Sequence, residues 1–166
     1  MNLNSEGVRG SLRSLAVAGL IAGAMSVLSS TAFAGDCPAD KVVLDGKGQT
    51  AGATEPKDVT DNVLASIDLA KEKIGADDHL FRMRRLEIQP GGIVPWHSHA
   101  DRPALIYVVE GEITEYASTC AVPILHAAGD VSVDAGRSHW WKNIGSKAVV
   151  LISADILHDP KDDGMM

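Results

Sequence analysis

The sequence predicts an all-β domain of the sandwich or barrel kind. From Val63 onward, short apolar or alternating runs recur about every ten positions, each closed by Gly, Pro, Asn or Asp, with no long helical period between them. Two histidines, His97 and His99, stand two residues apart in a strand context, so both imidazoles leave the same face of the backbone and can converge on one ion. A third, His139, lies in a second block where Gly129, Gly136 and Asn143 repeat the punctuation of the first.

Composition narrows the function classes. The chain has 166 residues, 45% hydrophobic and 4% aromatic, with a net charge of −7, which suits one compact domain. An acidic chain lacks the basic stripe that nucleic acid requires, and the one tight cationic cluster, Arg82, Arg84 and Arg85, falls within a single expected strand. Nucleic acid is therefore not an expected partner.

Taken in order, residues 1–34 read as a secretory signal peptide. Arg9 and Arg13 precede an apolar run from Leu15 to Leu28, and Ala32, Phe33 and Ala34 give a small-x-small cleavage site. The run is too short and too rich in Gly and Ala for a membrane span. The expected product is a periplasmic or secreted bacterial protein, cleaved after Ala34 and without a stable membrane anchor. Residues 35–62 form an N-terminal arm rich in Gly, Asp, Lys and Thr, in which only Lys41 to Leu44 resembles a strand. The only cysteines, Cys37 and Cys120, would be joined in an oxidising compartment, and a disulfide between them would tie the arm down; two free thiols are the alternative.

The barrel is expected over 63–157 and a charged, frayed tail over 158–166. Val63 to Leu69 alternates, with Val63, Ala65, Ile67 and Leu69 on one face, and Lys71 to Asp78 is polar enough for a loop or one helical turn. Leu80 to Gln89 is a strand ended by Pro90, Gly91 and Gly92, followed by strands at Ile93 to His99 and Ala104 to Val109. Glu110 and Gly111 signal a tight hairpin into Glu112 to Ala117. Further strands are expected at Val122 to His126, Asp130 to Val133, His139 to Asn143 and Ala148 to Ile156.

With these residues set out, Gly91, His97, His99 and Gly111 resemble the first motif of the cupin superfamily, and Gly129, Gly136, His139 and Asn143 resemble the second. The resemblance covers roughly Leu80 to Ile156. It implies a double-stranded β-helix, or jelly-roll barrel, holding a divalent transition metal on His97, His99 and His139. Two departures stand out. The position where cupins carry a glutamate ligand falls at Ala104, beside Pro103, and the proline expected before Gly136 is replaced by the pair Asp134 and Ala135.

Three neutral imidazoles suit iron, zinc, copper, nickel or manganese and leave the ion its full positive charge, and the resemblance to three-histidine cupins, which include iron-dependent dioxygenases, puts iron first. Alanine at 104 leaves coordination positions open, as a catalytic metal needs for water, oxygen or a chelating substrate. The resemblance to three-histidine cupins implies a dioxygenase-type oxidoreductase acting on a small molecule. The other class is a non-catalytic module binding a small molecule or a metal. No catalytic residue beyond the ligands is evident: there is no serine–histidine–acid set, no phosphate loop and no paired carboxylates. Asp101 has the wrong spacing to replace the glutamate. Arg102 reads as solvated rim, with an acidic substrate as its alternative partner. His79, His126 and His158 stand alone; Trp141 shares a face with His139 and either walls the pocket or fills the core; Tyr107 points away; Asn143 is structural. Cupins often dimerise through edge strands, so the partner set is a small-molecule ligand or substrate and, as an option, a second copy of the chain.

Overall fold

The computed structural model describes residues 35–158; the expected signal peptide and the tail beyond His158 lie outside them. Eight strands follow one another: β1 (Lys57–Asp68), β2 (His79–Ser98), β3 (Ala104–Glu110), β4 (Glu112–Ala117), β5 (Ile124–Ala127), β6 (Val131–Asp134), β7 (Ser138–Lys142) and β8 (Val149–His158). They join in one antiparallel sheet of order β5-β4-β7-β2-β8-β3-β6, with β1 added along β2, and this sheet rolls into a nearly closed barrel of jelly-roll type. Among the described residues no helix is long and apolar enough to cross a membrane.

Four local expectations are corrected, each for a geometric reason. Pro90, Gly91 and Gly92 do not end a strand. Gly91 takes φ 77°, which glycine adopts freely, so β2 bends and continues, pairing with β8 over 79–88 and with β7 from Ile93 onward. Glu110 and Gly111 do not make a hairpin: β3 pairs with β6 and β8, whereas β4 pairs with β5 and β7. Gly111, at φ 84°, instead turns a corner between the two halves of the barrel. Strand β1 begins at Lys57, inside the expected arm, and Val63 and Ile67 are exposed, because β1 has only β2 for a neighbour. Lys41 to Leu44 is no strand; a 3-10 turn over Ala39–Lys41 leads to a single bridge between Val42 and Cys120.

The inward rows divide the barrel interior into two ends. On β8, Val149 and Leu151 give way to Ser153 and Asp155; on β2, Ile88 and Leu86 give way to Arg84 and Arg82. One end is thus an apolar core of Ile88, Val108, Ile113, Trp141, Val149 and Leu151, and the other is polar and charged. Strand β6 carries that inversion furthest. Its valines, Val131 and Val133, face outward, and Ser132 and Asp134 are buried. Asn143 is structural as expected, donating to the carbonyls of Ile88 and Lys147.

Cys37 and Cys120 form a disulfide, with Cα atoms 5.8 Å apart. Beside it the arm hydrogen-bonds to the barrel, Val43 N–H to Thr119 O at 2.9 Å and Gly48 N–H to Ser118 O at 2.8 Å. A Cβ on Gly48 would come within 2.5 Å of the Cys120 carbonyl, so only glycine lets the arm lie so close. The bridge closes a separation of 83 residues, and removing it with Cys120→Ser is expected to lower stability by about 2–4 kcal/mol. Denaturant titration checks this, and limited proteolysis should then cut first within 38–56.

Candidate metal centre

The corner in β2 and its register against β7 assemble the site. His97 stands directly opposite His139 across the β2–β7 pair, close enough for side chains on one face to meet. His99 lies just past the end of β2, where its N–H donates to Arg137 O at 2.7 Å and its carbonyl accepts from Gly136 N–H at 2.9 Å. The three Nε2 atoms then converge: 2.9 Å from His97 to His99, 3.0 Å from His99 to His139 and 3.1 Å from His139 to His97.

Each ring is turned by its other nitrogen. Nδ1 of His97 lies 2.8 Å from Pro95 O, Nδ1 of His99 lies 2.6 Å from Arg102 O, and Nδ1 of His139 lies 2.6 Å from a Glu115 carboxylate oxygen. All three partners can only accept, so in the neutral ring the proton sits on Nδ1 and the lone pair on Nε2. That is the donor set a transition ion requires. The Trp141 indole N–H reaches the His139 nitrogens only at 3.2 and 3.3 Å, so the three convergent lone pairs are poorly satisfied within the protein, and a transition ion held by the three nitrogens would satisfy all of them.

Burial keeps His97 and His99 uncharged. It is the main cause that lowers His97 to about 2 and His99 to about 4, and the adjacent His139 pushes both the same way. The unfolded chain titrates these histidines near 6.5, so it takes up protons that the folded state refuses. Stability of the metal-free protein should therefore be full above pH 6.5 and fall as the pH is lowered. The loss from His99 is complete near pH 4, is roughly 3 kcal/mol in size, and is measured by melting temperature against pH.

Behind His139 lies a buried charged network that the sequence reading missed. Glu115 is fully buried; it takes hydrogen bonds from His139 Nδ1 and from His126 Nε2 at 2.8 Å, and Arg137 lies 3.1 Å away. Burial alone would raise its carboxyl, but the hydrogen bonds from His126 and His139, with the charge of Arg137, more than offset that and hold it well below the usual range. Asp134 is also fully buried, bonded to Ser132 and to Arg137. Glu115, Asp134 and His139 are close enough to suggest a second ion, but the Arg137 guanidinium already bridges the two carboxylates. Asp134 meets His139 at Nδ1, 3.6 Å away, on the opposite side of the ring from the convergent nitrogens, so it does not replace the absent glutamate.

Other expectations resolve plainly. His126 does not stand alone, since it is buried against Glu115 and Trp141. Arg102 is not solvated rim; it is 8% exposed. Ala104 is buried and offers no ligand, and Tyr107 is exposed and points away from the histidines. Trp141 is both core and wall: it lines a small internal cavity with His97, His99, Arg84 and Ser153. The cavity measures about 20 Å³, enough for one or two water-sized groups and too little for an aromatic ring.

Residues 84–155 match the cupin domain family. No curated protein matches the sequence. Among solved structures, a predicted oxalate decarboxylase from Thermotoga maritima aligns with a TM-score of 0.50 and 19% identity, over 74% of this chain and 98% of its own. A Cupin 2 conserved barrel domain protein from Salinispora arenicola aligns at 0.46 and 14%, over 63% of this chain and 80% of its own. KdgF from Halomonas sp. aligns at 0.45 and 14%, over 59% and 78%. At these identities the likeness concerns the fold alone.

Proposed function

Starting from a barrel whose residues 84–155 match the cupin domain, we propose that the protein is an exported, metal-dependent cupin acting on a small molecule, with oxidoreductase chemistry of the dioxygenase type. The observation that carries it is the triangle of Nε2 atoms with every Nδ1 committed elsewhere. His97, His99 and His139 would hold a divalent transition metal, iron first. The metal would supply Lewis-acid and redox chemistry at positions that Ala104 leaves open.

The chain's own residues do the rest. Pro95 O, Arg102 O and Glu115 fix the rings, Trp141 and Ile106 give the cavity apolar walls, and Arg84 and Ser153 give it polar ones. The cavity size limits the occupant to a compact molecule. Export is supported by the Cys37–Cys120 disulfide, which persists in oxidising compartments. The second reading, a non-catalytic binding module, is favoured by one observation: both buried carboxylates beside His139, Glu115 and Asp134, are ion-paired with Arg137 and approach that ring at Nδ1, away from the convergent Nε2 atoms.

Metal analysis decides first. Protein purified from its native compartment should carry close to one transition ion per chain, and loading of fewer than about a tenth of chains after iron, zinc, manganese and copper supplementation would count against the centre. Oxygen consumption by the loaded protein with small thiols, diketones and hydroxy acids then separates the two readings. Uptake supports the enzyme, and none with any of them supports the module.

A further inference from the structure

The strands that carry the charged interior are apolar on the outside. An antiparallel sheet with one solvated face ordinarily turns apolar side chains inward and polar ones outward. Three strands reverse that order. β6 buries Ser132 and Asp134 and turns out Val131 and Val133; β8 buries Ser153 and Asp155 beside an outward Ala154 and Ile156; β2 turns Arg82 and Arg84 inward and Phe81 and Met83 outward. Strand register then lines the outward side chains up. Ala65, Met83, Ala154, Leu105 and Val133 stand side by side across β1, β2, β8, β3 and β6. Ile152, Tyr107 and Val131 form the row on one side of them, and Ile67, Phe81 and Ile156 the row on the other.

The seven most exposed of these side chains range from 39% for Phe81 to 64% for Val133. Together they present roughly 700 Å² to solvent, against about 300–600 Å² for the largest apolar patch of an ordinary monomer and about 800 Å² per subunit for a standard interface. The charges at its rim are already answered: Arg85 pairs with Glu87 at 2.9 Å, and Arg82 and Arg84 are ion-paired on the inner side. Strand β2 therefore offers the face no unpaired guanidinium, and the chain carries a net charge of −7. That argues against a membrane as the occupant, because lipid surfaces are bound through rows of lysine and arginine beside the apolar face.

The patch is also complementary to itself. A groove of about 250 Å³ opens in it, lined by Phe81, Pro103, Leu105, Val133, Ala154 and Ile156. Tyr107, two residues along β3 from Leu105 on the same face, is an exposed aromatic ring beside that groove. A two-fold axis lying between ring and groove seats both at once, which is what an interface made of the same surface on both subunits requires.

We propose that the outer face of β6, β3, β8, β2 and β1 is the interface of a two-fold symmetric dimer of this chain, with Tyr107 of each copy seated in the groove of the other. The copies meet face to face and not edge to edge. The dimer supplies from outside the apolar burial that the charged interior withholds, and it holds in place strands whose inner sides wall the cavity beside His97 and His99.

The test is sedimentation velocity on the full protein between about 1 and 100 μM, the range in which a standard-sized interface is populated. Wild type should sediment at twice the mass of one chain at the upper concentrations. Tyr107→Glu and Val133→Glu each place a carboxylate in the apolar contact and should weaken association more than about 100-fold. Leu125→Glu makes the same change at an exposed position of β5, outside this face, and should leave the dimer intact. Hydroxyl-radical footprinting of wild type needs no variant: Met83 and Tyr107 should be protected at high concentration and become reactive on dilution, while Leu125 reacts equally at both. The inference is overturned if wild type is a monomer throughout, if the dimer survives both face variants, if Leu125→Glu dissociates it as they do, or if Met83 and Tyr107 react alike at every concentration. Binding of the monomer to phosphatidylcholine–phosphatidylglycerol vesicles through Met83 and Tyr107 would overturn it in favour of a lipid surface.

Discussion

Replacing His139 by alanine is expected to weaken metal binding by more than about 100-fold and to abolish the rise in melting temperature on metal addition. Loss of only the outer hydrogen-bonding partner of a ligand lowers affinity by about 10- to 100-fold, and here the ligand itself is lost. His139 closes two of the three sides of the triangle, at 3.0 Å and 3.1 Å. A ligand that binds the folded state alone stabilises it by mass action, so the melting shift reports occupancy directly. His139 is fully buried and also supports Glu115, so the variant should itself be less stable by about 1–3 kcal/mol. His97→Ala separates these effects, because the half-buried His97 touches only Pro95 O through Nδ1 and leaves the Glu115 network intact. It should lose metal binding with a smaller loss of stability. Wild-type affinity in both variants would remove the triad as the centre.

Glu115→Gln should be as informative, through a different cause. In the wild type one carboxylate accepts from His126 and His139 and faces Arg137. A glutamine presents one acceptor and one donor, so one of the two histidines must change tautomer to meet the amide hydrogens. If His139 changes, its proton moves to Nε2 and blocks the metal. Metal affinity should fall about 10- to 100-fold, and because Asp134 still pairs with Arg137 the loss of stability should be limited to about 1–3 kcal/mol. Calorimetric metal titration alongside denaturation distinguishes positioning from mere packing, since a purely structural Glu115 would change stability and leave affinity untouched. Glu115→Asp, which restores the charge, should recover part of the affinity.

The contrast between His139 and Glu115 shows what was legible. His97, His99 and His139 could be picked out because two-residue spacing places ligands on one face and the glycine blocks mark where strands turn. Glu115 carried a weaker signal that went unused: it is in phase with Ile113 and Ala117, both buried, so its carboxylate had to be inside. The same applies to Arg84, in phase with Leu86 and Ile88, which read only as part of a cationic cluster. In β6 the pattern misled outright, since Val131 and Val133 face out and Ser132 and Asp134 face in. Apolar periodicity identifies a buried face only where the interior is apolar, and this end of the barrel is not.

The sequence by itself determined the all-β class, the candidate ligands and the presence of just two cysteines, because strand period, ligand type and cysteine count are local properties of the chain. Only the tertiary structure decided that β2 runs through its glycines, that Gly111 turns a corner, and that Arg84 is buried at the cavity it shares with His97 and His99. Those facts depend on which strands become neighbours. Cross-strand register brings together residues 24 and 73 positions apart, as in Glu115 with His139 and Arg82 with Asp155, and no periodicity within one strand encodes it.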